Sequence, residues 1–118
     1  MYEDDDVCAF LDIHPNNLGH TLVVPKAHHE NIYDTPEEIL GPLMSASKKI
    51  AKAIRQGLGA QGVNIVMNNE AAAGQLILHT HLHVIPRFRD DGFTHWKGVP
   101  HSPEEIESAG KKIVQEIG

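Results

Sequence analysis

Three histidines stand at alternate positions within one apolar run of the chain. His79, His81 and His83 lie in residues 76–86, a segment rich in aliphatic and β-branched side chains that predicts a β-strand. Successive side chains of a strand point to opposite faces, so we expect the three imidazoles on one face. The other face is predicted to pack against the core. That second face would carry Leu76, Leu78, Thr80, Leu82 and Val84.

Zinc binding is one chemistry that aligned imidazoles can perform. Alternate residues of a strand rise about 6.5 to 7 Å, so the α-carbons of His79 and His83 would be roughly 13 Å apart. One ion therefore takes two of the three histidines easily and all three only with strain. The chain has a single cysteine, Cys8, so it supplies no Cys-x-x-Cys pair to complete a zinc site.

Nucleophilic catalysis is the other chemistry. Imidazole has an unperturbed pKa near 6.5, so at pH 7 it is largely neutral, nucleophilic and able to relay protons. In this interpretation the central His81 attacks, and its neighbours orient it and handle protons. A third interpretation is three solvent-exposed histidines with no function.

A loop of small residues precedes the histidines. Residues 68–75 read Asn-Asn-Glu-Ala-Ala-Ala-Gly-Gln. Backbone amides in such a loop, together with side-chain amides, can approach an anion closely. Beside aligned imidazoles, this composition favours an oxyanion or phosphate cradle over a simple turn.

Four strands are predicted to position these groups. Apolar or β-branched runs occupy residues 7–12, 20–25, 63–69 and 76–86, and turn-forming residues separate the first two. Sequential strands joined by short turns favour antiparallel pairing. A helix between two strand pairs favours an α+β fold over a doubly wound one.

Two helices are predicted. Thr35 to Glu38 form a Thr-x-x-Glu capping box with proline at the first helical position, and glycines at 57 and 59 end the segment. Pro42 predicts a kink or a fresh start, because proline removes a helical hydrogen bond. A second capping box at Ser102 to Glu105 predicts a C-terminal helix over about 103–117.

Length and charge exclude several classes of protein. The 118 residues suffice for one domain with its own core, and we expect a single domain over 1–118. A net charge of -6 argues against a broad surface for a nucleic-acid polymer. No apolar run approaches the roughly 20 residues that span a bilayer. The acidic start and the lone cysteine favour a cytoplasmic protein without membrane partners.

The histidine run resembles the signature of a known family. Gly74 and Gln75, followed by the run His-Thr-His-Leu-His-Val-Ile over residues 79–85, are similar to the His-φ-His-φ-His-φ-φ pattern of the histidine triad (HIT) family of nucleotide hydrolases and transferases. Residues 10–13 and 19–28 resemble the family's first hairpin. The resemblance covers about residues 2–97 and implies a HIT-like fold: an antiparallel sheet of about five strands with one long helix and a C-terminal helix.

The resemblance also implies catalytic roles. His81 would attack the α-phosphorus of a nucleotide and form a nucleotidyl-histidine that water hydrolyses. His83 would orient the nucleophile, His79 would stabilise the phosphate or the departing group, and His20 would be a fourth histidine that meets the triad. Six further positions are implied to contact substrate. They are Asp12 for the ribose hydroxyls, Phe10 and Ile13 for the base, and Asn68, Gly74 and Gln75 for the phosphates.

The implied substrate is a purine nucleotide, either a phosphoramidate or a dinucleoside polyphosphate. No cofactor is implied for the attack, and zinc is implied only for a longer form with an N-terminal cysteine pair. A homodimer is implied, and an apolar stripe at Leu43, Ile50 and Ile54 is compatible with one. Residues 87–101 are expected to shape the choice of leaving group. The rival functions are a non-catalytic nucleotide-binding or scaffolding module and a zinc-binding protein.

Overall fold

The fold is one antiparallel sheet covered on one face by a long helix. The computed structural model describes residues 1–118. The strands are β1 (Tyr2–Glu3), β2 (Val7–Leu11), β3 (Thr21–Pro25), β4 (Gly62–Val66) and β5 (Leu82–Arg87), in the spatial order β1-β2-β3-β5-β4. The helices are α1 (Glu37–Leu58) and α2 (Pro103–Ile117), and a short 3-10 turn covers Ala71–Ala73. The predicted α+β class, with five antiparallel strands and two helices, is confirmed.

Helix α1 supplies four of the ten buried residues of the hydrophobic core. Its inward side chains at Leu43, Ile50 and Ile54 are buried against the sheet, together with Ala46. The sheet side of the core comes from alternate residues of three strands, because only every second side chain faces the helix. These are Val7, Ala9, Val23, Leu82 and Val84. The stripe that seemed compatible with a dimer interface is therefore core.

The start of α1 differs from the prediction. The residue before its first turn is Pro36, and no side chain caps it. The hydroxyl of Thr35 instead donates to the carbonyl of Asn31 at 2.6 Å and lies 2.8 Å from the hydroxyl of Thr80. The hydroxyl of Thr35 is thus engaged by these two partners instead of by the predicted capping bond. Pro42 lies inside α1, so the alternative of a fresh helix start at Pro42 is wrong, and the alternative of a kink stays a prediction.

The strand that carries the histidines is shorter than predicted. β5 begins at Leu82, so His79 and His81 precede it. Continuing the β3 register would place Thr80 opposite Pro25, which has no N–H to donate to a ladder. Thr80 N donates instead to the carbonyl of His29 at 2.7 Å. Of the three histidines, only His83 therefore lies in a regular strand, and strand alternation does not set the directions of His79 and His81.

The late start of β5 also changes which apolar side chains of residues 76–84 are buried. Leu76 is 92% exposed and Leu78 is also exposed, so these two do not join the core. Thr80, Leu82 and Val84 are buried as predicted. At the other strand ends, β3 begins one residue later than predicted, and β4 ends at Val66 instead of continuing to residue 69.

The C-terminal helix stands apart from the sheet. Ser102 and Glu105 form the predicted capping box, in which each side chain accepts from the other's backbone N–H. All residues of α2 beyond this cap are exposed, and the helix has no close approach to another element. Neither helix of the structure combines the length and the apolarity that a bilayer crossing requires. The structure contains one chain, so the homodimer stays a prediction.

The contrast between α1 and α2 gives a stability test. Leu43 is 1% exposed, and Leu43→Ala is expected to lower the free energy of unfolding by about 2–5 kcal/mol, because the buried methyl groups and the residual cavity both cost energy. Ile117 is 76% exposed, and Ile117→Ala is expected to change it by less than about 0.5 kcal/mol. Urea unfolding measures both. A large loss in Ile117→Ala would show that α2 is packed in solution.

Candidate active site

His81 is held in one tautomer by its own loop. It stands one residue before β5 and is 8% exposed. Its Nδ1 lies 2.7 Å from the carbonyl oxygen of His79. A carbonyl only accepts, so Nδ1 carries the proton and donates. The Nε2 atom of neutral His81 therefore keeps a free lone pair, which is the requirement for a nucleophile.

A second pair of histidines forms a directional chain of hydrogen bonds. The backbone N–H of Asn16 donates to Nδ1 of His20 at 3.1 Å, so the proton of neutral His20 is on Nε2. That Nε2 lies 2.9 Å from Nδ1 of His83 and donates to it. The proton of neutral His83 is consequently on its own Nε2. The rings of His83 and His81 meet edge to face, with centroids 4.9 Å apart.

Burial keeps this pair uncharged. Desolvation lowers the pKa of His20 below its usual 6.5, and the nearby Asp12 carboxylate partly offsets that effect. Desolvation also lowers the pKa of His83, and the neighbouring His81 and His20 lower it further. Nε2 of His20 lies 3.8 Å from the Asp12 carboxylate. Both imidazoles are thus neutral at pH 7, as the directional chain requires.

Both ring nitrogens of His79 have hydrogen-bond partners within the protein. Its Nε2 donates to the carbonyl of Pro25 at 2.9 Å, and its Nδ1 lies 2.8 Å from Nδ1 of His28. Both ring nitrogens are therefore engaged away from His81. The His79 ring does not line the cavity beside His81 described below, and its predicted contact with phosphate stays a prediction. His79 meets the site through its backbone carbonyl, which accepts the proton of His81.

A cavity of about 660 Å³ opens beside His81 and His83, and it is here called the nucleotide cavity after the ligand that the sequence predicts. Five residues predicted to contact substrate line it. They are Phe10, Asp12, Ile13, Asn68 and Gly74. Phe10 and Ile13 are exposed apolar side chains that a planar base can cover. One carboxylate oxygen of Asp12 accepts the N–H of His14 at 2.8 Å, which orients the group.

Gln75 is the predicted substrate residue that does not reach this cavity. It is buried, and its Nε2 donates to the carbonyls of Glu30 and Ile77 at 2.6 and 3.0 Å. Its Oε1 accepts the N–H of Glu70 at 2.8 Å. Oε1 also accepts from the side-chain amide of Asn31 at 3.5 Å, so the whole amide is engaged within the protein. Gln75 thus shapes the loop before His81, and its predicted contact with phosphate stays a prediction.

Sequence reasoning missed other residues of the site. Leu22, Leu76 and Ile77 also line the nucleotide cavity, as does His14. Leu76 had been assigned to the core by alternation, and its exposure follows only from the late start of β5. Asn16 is one of the turn-forming residues between the first two predicted strands, and its backbone N–H donates to His20. The one local signal was the proximity of His14 and Asn16 to Asp12 in the chain.

Two groups of residues offer metal ligands. Asp12, His20 and His83 present ligand atoms that all lie within 4.8 Å of one another. His28 and His79 present two nitrogens, but a structural zinc ion takes four ligands. The chain has no cysteine pair to add to them. The residues present at His28 and His79 thus do not complete a zinc site.

Comparison with known proteins places the chain in a family. A family model described as "HIT domain" matches residues 1–90. The chain is 40% identical over 121 residues to "Protein hit" of Bacillus subtilis, covering 99% of this chain and 83% of that protein. It is 37% identical over 111 residues to "Adenosine 5'-monophosphoramidase hnt1" of Schizosaccharomyces pombe, covering 92% and 80%.

Solved structures agree with this assignment. A crystal structure of a HIT family member from Bacillus subtilis matches with a TM-score of 0.88 and 39% identity, covering 98% of this chain and 84% of that one. The fold of this chain is therefore shared with that protein. The chain belongs to the histidine triad (HIT) family.

Proposed function

We propose that this chain is a nucleotide hydrolase or transferase that cleaves the bond at the α-phosphate of a nucleotide through a nucleotidyl-His81 intermediate. The observation that carries the proposal is the tautomer of His81. Its Nδ1–H is committed to the His79 carbonyl, and the ring lines a cavity large enough for a mononucleotide. The fission yeast relative, named as an adenosine 5'-monophosphoramidase, supports the same reaction class.

The reaction then has two displacements at phosphorus. In the first, the Nε2 lone pair of His81 forms a bond to the α-phosphorus, and the bond from phosphorus to the leaving nitrogen or oxygen breaks. The leaving atom keeps that electron pair and takes a proton from solvent. In the second, water attacks phosphorus, the electron pair of the P–N bond returns to Nε2, and the surplus proton goes to solvent. One water is consumed, and nucleoside monophosphate is released.

Three neighbouring groups would assist this step. The Nδ1–H bond to the His79 carbonyl stabilises the positive charge that His81 acquires when Nε2 is phosphorylated. The Nε2–H of His83 is a donor for a phosphoryl oxygen of the transition state. The side-chain amide of Asn68, which lines the nucleotide cavity, is a neutral donor on the same side.

The substrate would lie with its nucleoside in the nucleotide cavity. The two oxygens of the Asp12 carboxylate can accept from vicinal ribose hydroxyls. Phe10 and Ile13 would cover the faces of a purine, since both are exposed and apolar. A non-catalytic nucleotide-binding module would use the same contacts, and only turnover separates it from an enzyme.

Removal of His81 tests the reaction. We expect His81→Ala to lower kcat/KM for adenosine 5′-phosphoramidate by on the order of 10⁴-fold or more, because the nucleophile is lost. His101→Ala is the matched control, since His101 is exposed at the start of α2. A steady-state assay of AMP release measures both variants. Equal turnover by His81→Ala and the wild type would remove His81 from the mechanism.

The intermediate gives a second readout. Intact-mass spectrometry of the quenched reaction is expected to show a nucleotidyl adduct on the wild type and none on His81→Ala. A protein that binds AMP but gives neither turnover nor adduct would be the binding module. Zinc that co-purifies in stoichiometric amount, and whose removal by a chelator unfolds the chain, would favour the zinc-binding alternative.

The lowered pKa values of His20 and His83 predict a pH dependence of stability. A histidine whose pKa is lower in the folded state binds its proton better when unfolded, so stability is lost as pH falls below 6.5. We expect His83→Asn to lose less free energy of unfolding between pH 6.5 and 5.5 than the wild type loses. His101→Asn should keep the wild-type dependence. Urea unfolding at each pH tests this, and identical slopes for His83→Asn and wild type would contradict it.

A further inference from the structure

The side chain of Asn17 joins the loop between β2 and β3 to the end of β5. Its Nδ2 lies 2.8 Å from the carbonyl oxygen of Pro86 and 2.9 Å from a carboxylate oxygen of Asp91. Both partners only accept, so the amide nitrogen faces them and both of its N–H groups donate. Asn17 is thus held by two residues that lie 69 and 74 positions further along the chain.

The carboxylate of Asp91 accepts from four donors. One oxygen accepts from Asn17 and from the backbone N–H of Phe88 at 2.8 Å. The other accepts from a terminal nitrogen of Arg87 at 2.7 Å and from the backbone N–H of Phe93 at 3.0 Å. The side chain is 10% exposed, and these bonds, that of Phe88 most of all, lower the pKa of Asp91 to about 2. Asp91 therefore stays ionised at neutral pH and keeps all four acceptor sites.

Asn17 is the one anchor of the exposed part of this loop. Among residues 13–18, only the side chain of Asn17 forms hydrogen bonds to a distant part of the chain, and the other bonds stay within residues 12–20. Asn17 is also the one residue of that segment that is not fully exposed. The course of the loop therefore depends on the contacts of Asn17 with Pro86 and Asp91.

The backbone around Asn17 holds His20. The carbonyl of Asn17 accepts the backbone N–H of His20 at 3.0 Å. The adjacent N–H of Asn16 donates to Nδ1 of His20 at 3.1 Å. A donor at Nδ1 leaves the proton of the neutral ring on Nε2, so the place of this N–H sets the tautomer of His20. The side chain of Asn17 thus fixes the neighbouring backbone group that selects the tautomer.

The tautomer of His20 determines that of His83. Nε2–H of His20 donates to Nδ1 of His83 at 2.9 Å, which leaves the proton of His83 on its Nε2. If the N–H of Asn16 moved away, His20 would be free to carry its proton on Nδ1, and His83 would then be free to do the same. Nε2 of His83 would present a lone pair, which repels a phosphoryl oxygen instead of donating to it.

We propose that Asn17 and Asp91 are positioning residues for the reaction, and that they fix the tautomers of His20 and His83 from outside the substrate cavity. Neither of the two side chains lines the nucleotide cavity, so their effect passes through the loop. The inference rests on the proposed function, because it assumes that His83 donates to the reacting phosphate. The tautomers themselves are measured without turnover.

Histidine tautomers give a readout that a loss of stability alone would not move. ¹H–¹⁵N spectra of the imidazole rings near pH 8, where an unperturbed imidazole is neutral, distinguish Nδ1–H from Nε2–H. In the wild type, we expect Nε2–H for His20 and His83 and Nδ1–H for His81. Asn17→Ala is expected to average the nitrogen shifts of His20 and His83 and to leave His81 unchanged, since His81 donates to the His79 carbonyl. Unchanged shifts of His20 and His83 would overturn the proposal.

Kinetics test whether the tautomers matter for the reaction. We expect Asn17→Ala to lower kcat for adenosine 5′-phosphoramidate by about 10- to 100-fold and to change KM much less, because a misplaced donor to the transition state lowers the rate on this scale. Asp91→Asn puts an NH₂ group among other donors and should lower kcat by a smaller factor. Asp90→Asn is the matched control, since Asp90 is exposed and its positive φ of 63° suits Asn equally.

The double variant shows whether Asp91 acts through Asn17. In Asn17→Ala/Asp91→Asn, kcat is expected to match that of Asn17→Ala within about twofold, because the link is already broken. Two losses that multiply would overturn the link between the two residues.

The outcomes separate this proposal from the proposed function. Lower stability with the kcat and the tautomers of the wild type would leave Asn17 and Asp91 a purely structural role and overturn the inference. A wild type without turnover overturns the proposed function, and the tautomer spectra then decide the positioning alone. If Asn17→Ala does not fold, Asp91→Asn carries the same spectral test.

Discussion

The hydrogen bond from Nδ1 of His81 to the carbonyl of His79 is the contact on which the site depends. It joins two residues of one loop at 2.7 Å and decides which nitrogen of His81 carries the proton. A carbonyl that pointed elsewhere would leave the imidazole free to adopt either tautomer. Because the loop geometry sets this carbonyl, the chemistry of one ring depends on the backbone course of residues 75–81.

Several hydrogen bonds fix the backbone of residues 75–81, and none of them belongs to the β-sheet. Pro25 offers no N–H opposite Thr80, so β5 begins at Leu82 and does not include the residues before it. Thr80 is tied instead to His29 through its backbone N–H, and to Thr35 through its hydroxyl. Gln75 spends its buried amide on Glu30, Glu70 and Ile77. Polar side chains in this region hold the loop in place so that His81 faces the cavity.

The histidines of the site differ in their burial and in their hydrogen-bond partners. His20 is deeply buried, and its low pKa makes it a neutral link that transmits the orientation set by Asn16 to His83. His81, nearest the nucleotide cavity, keeps its lone pair. His79 is turned toward His28 and Pro25 and serves through its main chain. Three histidines that look equivalent in the sequence therefore have three distinct environments.

The sequence by itself determined the α+β class, the antiparallel pairing, the existence of both helices and the residues that gather at the site. These follow from hydrophobic periodicity, turn residues and one motif, all of which are local. The resemblance to the histidine triad family implied Phe10, Asp12, Ile13, Asn68 and Gly74 as site residues, and the structure brings them to one cavity.

Only the tertiary structure decided how the histidines are oriented. Strand alternation placed His79, His81 and His83 on one face, but whether a strand forms depends on the partner across the ladder, and that partner was Pro25. Thr35 is a second example: it caps no helix, because its hydroxyl is hydrogen-bonded to Asn31 and Thr80. Periodicity describes one segment at a time, whereas ring tautomers, loop anchors and the nucleotide cavity arise from groups far apart in the chain.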